Sequence, residues 1–138
     1  MGGGRVILLD THALLWWQAG GQRLSSGARR AIETTDSILV CPVSCWEVGL
    51  LVAKGRVRLD RDPSVWVQDF LDADRVAIAD LTATAAVAAA RLPGDGFPGD
   101  PADCLLYATA RERDVPLVTK DERLRRYARE RRDLRIVW

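Results

Sequence analysis

Short, continuously apolar runs separated by stretches of helical pattern set the strongest limit on what this chain can fold into. Residues 5–10 (RVILLD) read as the first such run. SILVCPV, RVAIADL, PLVTKD and LRIVW come after it at intervals. A strand that is apolar at every position, rather than at alternate ones, has both faces covered. Strands that alternate with helices return in the same direction. The pattern therefore predicts an α/β chain with a parallel sheet covered on both faces.

At 138 residues, 48% of them hydrophobic, the chain fits one domain spanning 1–138. No apolar stretch approaches the roughly 20 residues that cross a bilayer. The head MGGGR has no apolar segment behind it. It reads as a flexible head over 1–4 rather than a signal peptide. Cys41, Cys45 and Cys104 form no CxxC pair, and His12 is the sole histidine, which argues against tetrahedral zinc. The thiols read as small buried side chains in a reducing, cytoplasmic setting.

Capping signals place the helices. THALLWWQA comes directly after the first strand. SSGARRAIETT starts on serines. SCWEVGLLVAKGR has Ser44 and, three residues on, Glu47, the spelling of a capping box, and stops at Gly55. Asp62-Pro63 and Asp100-Pro101 each put an acidic cap before a proline at the first helical position. ERLRRYARERR turns Leu124, Tyr127 and Ala128 inward. Trp16, Trp17, Trp46 and Trp66 are spaced like core-facing residues of helices, and His12 reads as a local packing residue.

The acids attract a functional reading. Ligands of open parallel sheets bind beyond the carboxyl ends of the strands. Asp10 ends the first strand and Asp121 ends PLVTKD. Glu47, Asp100 and Asp103 fall in first turns of helices that leave from that same edge. Each has a structural use instead. Glu47 would complete the box with Ser44, Asp100 and Asp121 would cap, and Asp103 would favour its helix dipole. Asp10, between apolar neighbours, has no helix that needs it. Like charges gathered in one place repel, so several carboxylates at one rim call for a counter-charge. With only oxygen ligands the hard ions Mg²⁺ or Mn²⁺ suit best. Such an ion is commonly used for chemistry at phosphate with activated water as nucleophile. Half of the cationic side chains, ten of twenty, lie in residues 111–138 and offer either a solvated helix face or a phosphate-facing edge.

LLDTHALLWW, SCWEVGLLVAKGRVRL, GDPADCLLYATARERDVPLVTKDERLRRY and the final IVW, in that order, resemble the PIN-domain ribonucleases, and among them the VapC-type toxins of toxin–antitoxin pairs. The likeness runs from Val6 to Trp138. It implies a three-layer α/β/α fold with a parallel sheet of four or five strands, and endonucleolytic cleavage of RNA dependent on Mg²⁺ or Mn²⁺. It assigns the catalytic acids to Asp10, Glu47, Asp103 and Asp121, with Asp10 and Asp103 as the principal metal ligands and Asp100 beside them. It also implies a homodimer and a cognate antitoxin whose peptide occludes the site.

Two departures stand out. Pro98-Gly99 occupies the place of a His-Arg pair frequent in that branch, and Cys104 stands where arginine often follows the third acid. Arg123, Arg125 and Arg126 are the arginines available to meet RNA phosphates in their stead. Two rival readings remain: a catalytically inactive binding module of the same fold, and an aspartate-dependent phosphate-handling domain. The second usually places another aspartate two residues after the first, where this chain has His12.

Overall fold

The computed structural model describes residues 4–138, so most of the expected head, residues 1–3, lies outside the described residues. Gly4 lies against Asp36, whose carboxylate accepts the Arg5 N–H at 2.7 Å.

Strand β1 (Val6–Leu9) is followed by α1 (Thr11–Gln18) and α2 (Ser26–Thr34). Next come β2 (Ser37–Val40), α3 (Pro42–Ala53), α4 (Pro63–Leu71) and β3 (Val76–Ile78). After α5 (Ala83–Arg91) and a 3₁₀ turn over Pro93–Asp95, the chain forms α6 (Pro101–Arg113), β4 (Leu117–Val118), α7 (Glu122–Arg131) and β5 (Ile136–Val137). The five strands are all parallel, in the order β3-β2-β1-β4-β5.

Successive strand residues point to opposite faces, and each face has its own core. Ile7, Leu9, Ile38 and Val40 pack with residues of α1 to α4, including Leu14, Ile32, Val48 and Trp66. Leu8, Leu39 and Leu117 pack with α5, α6 and α7 through Ala89, Leu106, Tyr107 and Leu124. Burying each of the large aliphatic side chains contributes about 1.5–3 kcal/mol. The expected three layers are thus present, and the parallel sheet, expected to have four or five strands, has five. Leu124, Tyr127 and Ala128 are buried as expected. Among the described residues no helix is long and apolar enough to cross a membrane.

Three expectations about local structure need correction. The Ser44–Glu47 capping box does not form, because Pro42 starts α3 two residues earlier and Cys41 is its cap without a side-chain bond. Asp10 does serve a helix: it caps α1, its Oδ1 accepting the Ala13 N–H at 2.8 Å. Of the four tryptophans read as core, only Trp66 is fully buried. Trp46 is 60% exposed, because α3 buries Val43, Ser44 and Val48 and turns Trp46 away. Trp16 and Trp17 are half-buried. Cys41 and Cys104 are buried and Cys45 partly so.

Aromatic contacts fix the segment before α6. Phe97, Tyr107 and Tyr127 meet edge to face, with ring centroids 5.0 to 5.6 Å apart. The Tyr127 hydroxyl donates to Asp95 at 2.7 Å, and that of Tyr107 to Asp133 at 2.6 Å. These contacts pin the loop that delivers Gly99 and Asp100.

Candidate active site

The chain winds from β1 outward to β3 and then crosses back to place β4 on the other side of β1. The reversal between β1 and β4 leaves a crevice at the carboxyl ends of these two strands, where doubly wound sheets bind ligands. Asp10 follows β1, and its N–H pairs with the Val118 carbonyl of β4 at 3.0 Å. Burial pushes its carboxyl up from the usual range, and the charge of Asp121 adds to this. The Thr119 hydroxyl, the Ala13 N–H and His12 act in the opposite direction.

Asp121 caps α7 through the Arg123 N–H at 2.9 Å, and its own N–H donates to the Thr119 hydroxyl oxygen at 3.1 Å. Buried Thr119 thereby joins the two strand ends. The Arg123 guanidinium forks onto Asp121 at 2.8 and 3.2 Å and holds that carboxyl below its ordinary range.

Glu47 arrives from the second turn of α3. The buried Thr11 hydroxyl donates to it and shares a 3.0 Å hydrogen bond with Ser44. Ser44, already inside the helix, serves this tertiary contact instead of a cap. Burial raises the Glu47 carboxyl, and the charges of Asp100 and Asp10 push the same way against the Thr11 bond.

Asp100 and Asp103 form a reciprocal capping box at the start of α6, with Pro101 at its first position. Burial, then the charge of Asp100, pushes Asp103 up to about 7.

All five acids line one cavity of about 540 Å³, together with Thr11, His12, Trp16, Thr119, Lys120 and Arg123. Among the described residues, no three His, Cys, Asp or Glu side chains are already gathered round a common ion position. The hydrogen bonds show why. Ala13 holds one oxygen of Asp10, Thr11 holds Glu47, the Asp100 N–H holds Asp103, and Arg123 holds Asp121. Apart from the His12 imidazole at its rim, the potential metal donors are carboxylate and hydroxyl oxygens, and the acids are mostly uncompensated: Lys120 and Arg123 are the lysine and arginine of the lining, and Arg123 is forked onto Asp121.

Of the three arginines singled out in the sequence, Arg123 alone lines this cavity. Arg125 pairs with Glu122 at 3.4 Å, and exposed Arg126 sits one turn further along α7. Cys104 faces the α5–α6 core, so an arginine there would be buried against alanines. Gly99 is closely packed: a Cβ added to it would come within 2.6 Å of the Asp103 Cβ and 2.7 Å of the Phe97 ring. Trp16 has the spacing of a core-facing residue, and no local pattern in the sequence marks Thr11, Thr119 or Lys120 as part of the site.

The PIN domain family model matches residues 7–130. The chain is 42% identical over 126 residues to Ribonuclease VapC22 of Mycobacterium tuberculosis, covering 91% of this chain and 95% of that protein. Among solved structures, VapBC2 of Rickettsia felis, bound to a fragment of promoter DNA, superposes with a TM-score of 0.66 at 16% identity over 95% of this chain and 96% of that one. DNA-bound VapBC of Salmonella typhimurium gives 0.62 at 19% identity over 96% of both chains. These two likenesses concern the fold.

Proposed function

This chain belongs to the PIN-domain family, and from that membership we propose that it is an endoribonuclease. It hydrolyses RNA phosphodiesters with Mg²⁺ or Mn²⁺ and acts as the toxin of a type II toxin–antitoxin pair. The observation that carries the reading is the shared cavity, in which Asp10, Glu47, Asp103, Asp121 and Asp100 face two cationic side chains.

Such a lining suits a hard cation. Burial and mutual repulsion raise Asp10, Glu47 and Asp103, so a bound positive charge would relieve all three. Mg²⁺ typically takes one or two carboxylates and keeps several waters, so a ready-made group of three ligands is not required. Asp10 and Asp103 would hold it, with Glu47, Asp121 and Asp100 in support. When bound, the cation supplies Lewis acidity toward water and the scissile phosphate.

The chain's own groups supply the rest. Glu47, oriented by Thr11, accepts a proton from the attacking water. Asp121, kept ionised by Arg123, fixes the local field and orders water. Lys120 meets the phosphate oxygens, joined by the Nη1 of Arg123, whose Nε and Nη2 stay on Asp121. The same reading includes a homodimer and a cognate antitoxin whose peptide fills this cavity.

The test is cleavage of an end-labelled RNA by the parent and by Asp10→Asn, each with Mg²⁺ and with a chelator. Cleavage only by the parent with metal supports the reading. An equal background in all four arms would leave a binding module, and a phosphoryl group trapped on Asp10 would favour the aspartate-dependent rival.

A further inference from the structure

A second cavity, of about 500 Å³, shares His12 and Trp16 with the first and runs away from it toward Arg23, Arg56 and Arg58. Its floor is apolar, with Leu15, Val57, Leu59 and Trp66, and its charged lining is mostly arginine, with Asp60 its one carboxylate. Arg23, Arg56 and Arg58 are exposed, and among the described residues none of them forms an ion pair, whereas the neighbouring Arg61 is occupied by Asp60 and Asp69. Trp16 stands at the junction of the two cavities. His12 and Trp138 touch it at centroid distances of 5.8 Å but are tilted by 57° and 59°, so neither ring stacks flat upon it. The Arg23 guanidinium and the Lys120 ammonium lie over the indole at 5.8 and 5.4 Å.

An aromatic ring flanked by uncompensated cations is the combination that holds single-stranded nucleic acid: a base on the ring and phosphates on the arginines. We propose that this groove is the track of the RNA strand on one side of the scissile phosphate. Trp16 carries an unpaired base as the strand leaves the acidic pocket, the long Arg23 or Lys120 side chain swinging off the indole onto a phosphate, and Arg56 and Arg58 follow the backbone. The inference rests on the ribonuclease reading and adds to it a direction and a preference for unpaired RNA. It also accounts for how a pocket lined by five carboxylates can admit a polyanion. The attraction is supplied outside the pocket, on the far side of Trp16.

The test measures binding of a hydrolysis-resistant phosphorothioate RNA of about twelve unpaired nucleotides by fluorescence anisotropy over a range of salt, with Mg²⁺ present. Arg56→Gln/Arg58→Gln should weaken binding and reduce the slope of log K against log salt by about 1.4, the value for two phosphate contacts on a single strand. Trp16→Leu should weaken binding by about tenfold and Trp16→Phe much less, since a ring is retained. A self-complementary duplex of the same length should bind the parent more weakly than the single strand. Circular dichroism and thermal melting establish that each variant is folded, and the arginine pair, being exposed, carries the test if Trp16→Leu is not. Failure of the parent to bind RNA at all overturns the ribonuclease reading and this inference together. Full affinity and an unchanged salt slope in the arginine variant, with the parent binding and cleaving RNA, overturn the track alone and leave the groove to a protein partner.

Discussion

Asp100 and Asp103 each accept the other's main-chain N–H, at 2.9 and 3.1 Å, so the bonds that start α6 also hold two carboxylates against one another. The helix gains a capping box, and Asp103 is left with its carboxyl at about 7.

That raised value makes stability depend on pH. A carboxyl that holds its proton more tightly in the folded state stabilises the fold while protonated, and the contribution is lost as pH rises from the ordinary 3.8 toward about 7. Asp10 and Glu47, also raised, act with the same sign. Metal-free protein should therefore be less stable near neutral pH than in mild acid, by on the order of 1–3 kcal/mol, and melt at a lower temperature. Asp103→Asn should remove much of that slope. Thermal melts across this window check it, and a flat profile in the parent would contradict it.

Cation binding should show the complementary dependence. An ion displaces the proton from Asp103, so its affinity should climb as pH rises through about 7. Calorimetric titration with Mn²⁺ on either side of that value measures both the affinity and the protons released. Equal affinity and no proton release would count against Asp103 as a ligand.

Glu47 depends on Thr11 for its orientation. Thr11→Val keeps the shape and removes the hydroxyl. It should lower RNA cleavage about 10–100-fold, as loss of a supporting hydrogen bond to a metal-site carboxylate does. Asp10→Asn or Asp103→Asn should cost more. Rates at saturating Mg²⁺ with matched melting curves separate a lost orientation from a lost fold.

Gly99 is the tightest spot beside the acids. Gly99→Ala places a methyl group against Asp103 and Phe97. Displacing Asp103 should cut activity more than tenfold, while overpacking lowers stability by about 1–3 kcal/mol. Cleavage and denaturant melts on the same preparation give both numbers. Parental activity would mean that the loop accommodates the methyl group without moving Asp103.

The sequence carried the sheet and the acids well, for a physical reason. Strand ends are fixed by where an apolar run meets a charge, so Asp10 and Asp121 could be placed on one edge from pattern alone. Asp100-Pro101 marked the start of α6 because proline is preset for the first helical position. Ser44 misled because its spacing to Glu47 matches a cap, while Pro42 had already begun the helix. Trp46 misled because a large apolar side chain on a helix says nothing about which face is covered. The contacts of Trp16, Thr119 and Lys120 join segments distant in the chain, and no local pattern reports such contacts. Asp10 shows no helix signal in the sequence because capping α1 takes only one of its carboxylate oxygens, and a carboxylate has lone pairs left for a further partner.

If Asp10 and Asp103 jointly hold a hard cation in the crevice between β1 and β4, anomalous diffraction from crystals soaked in Mn²⁺ should locate it. A single strong peak is expected within coordinating distance of both carboxylates, and that peak should be lost in Asp10→Asn. A crevice that stays empty at saturating Mn²⁺, or a peak bound elsewhere on the molecule, would contradict it.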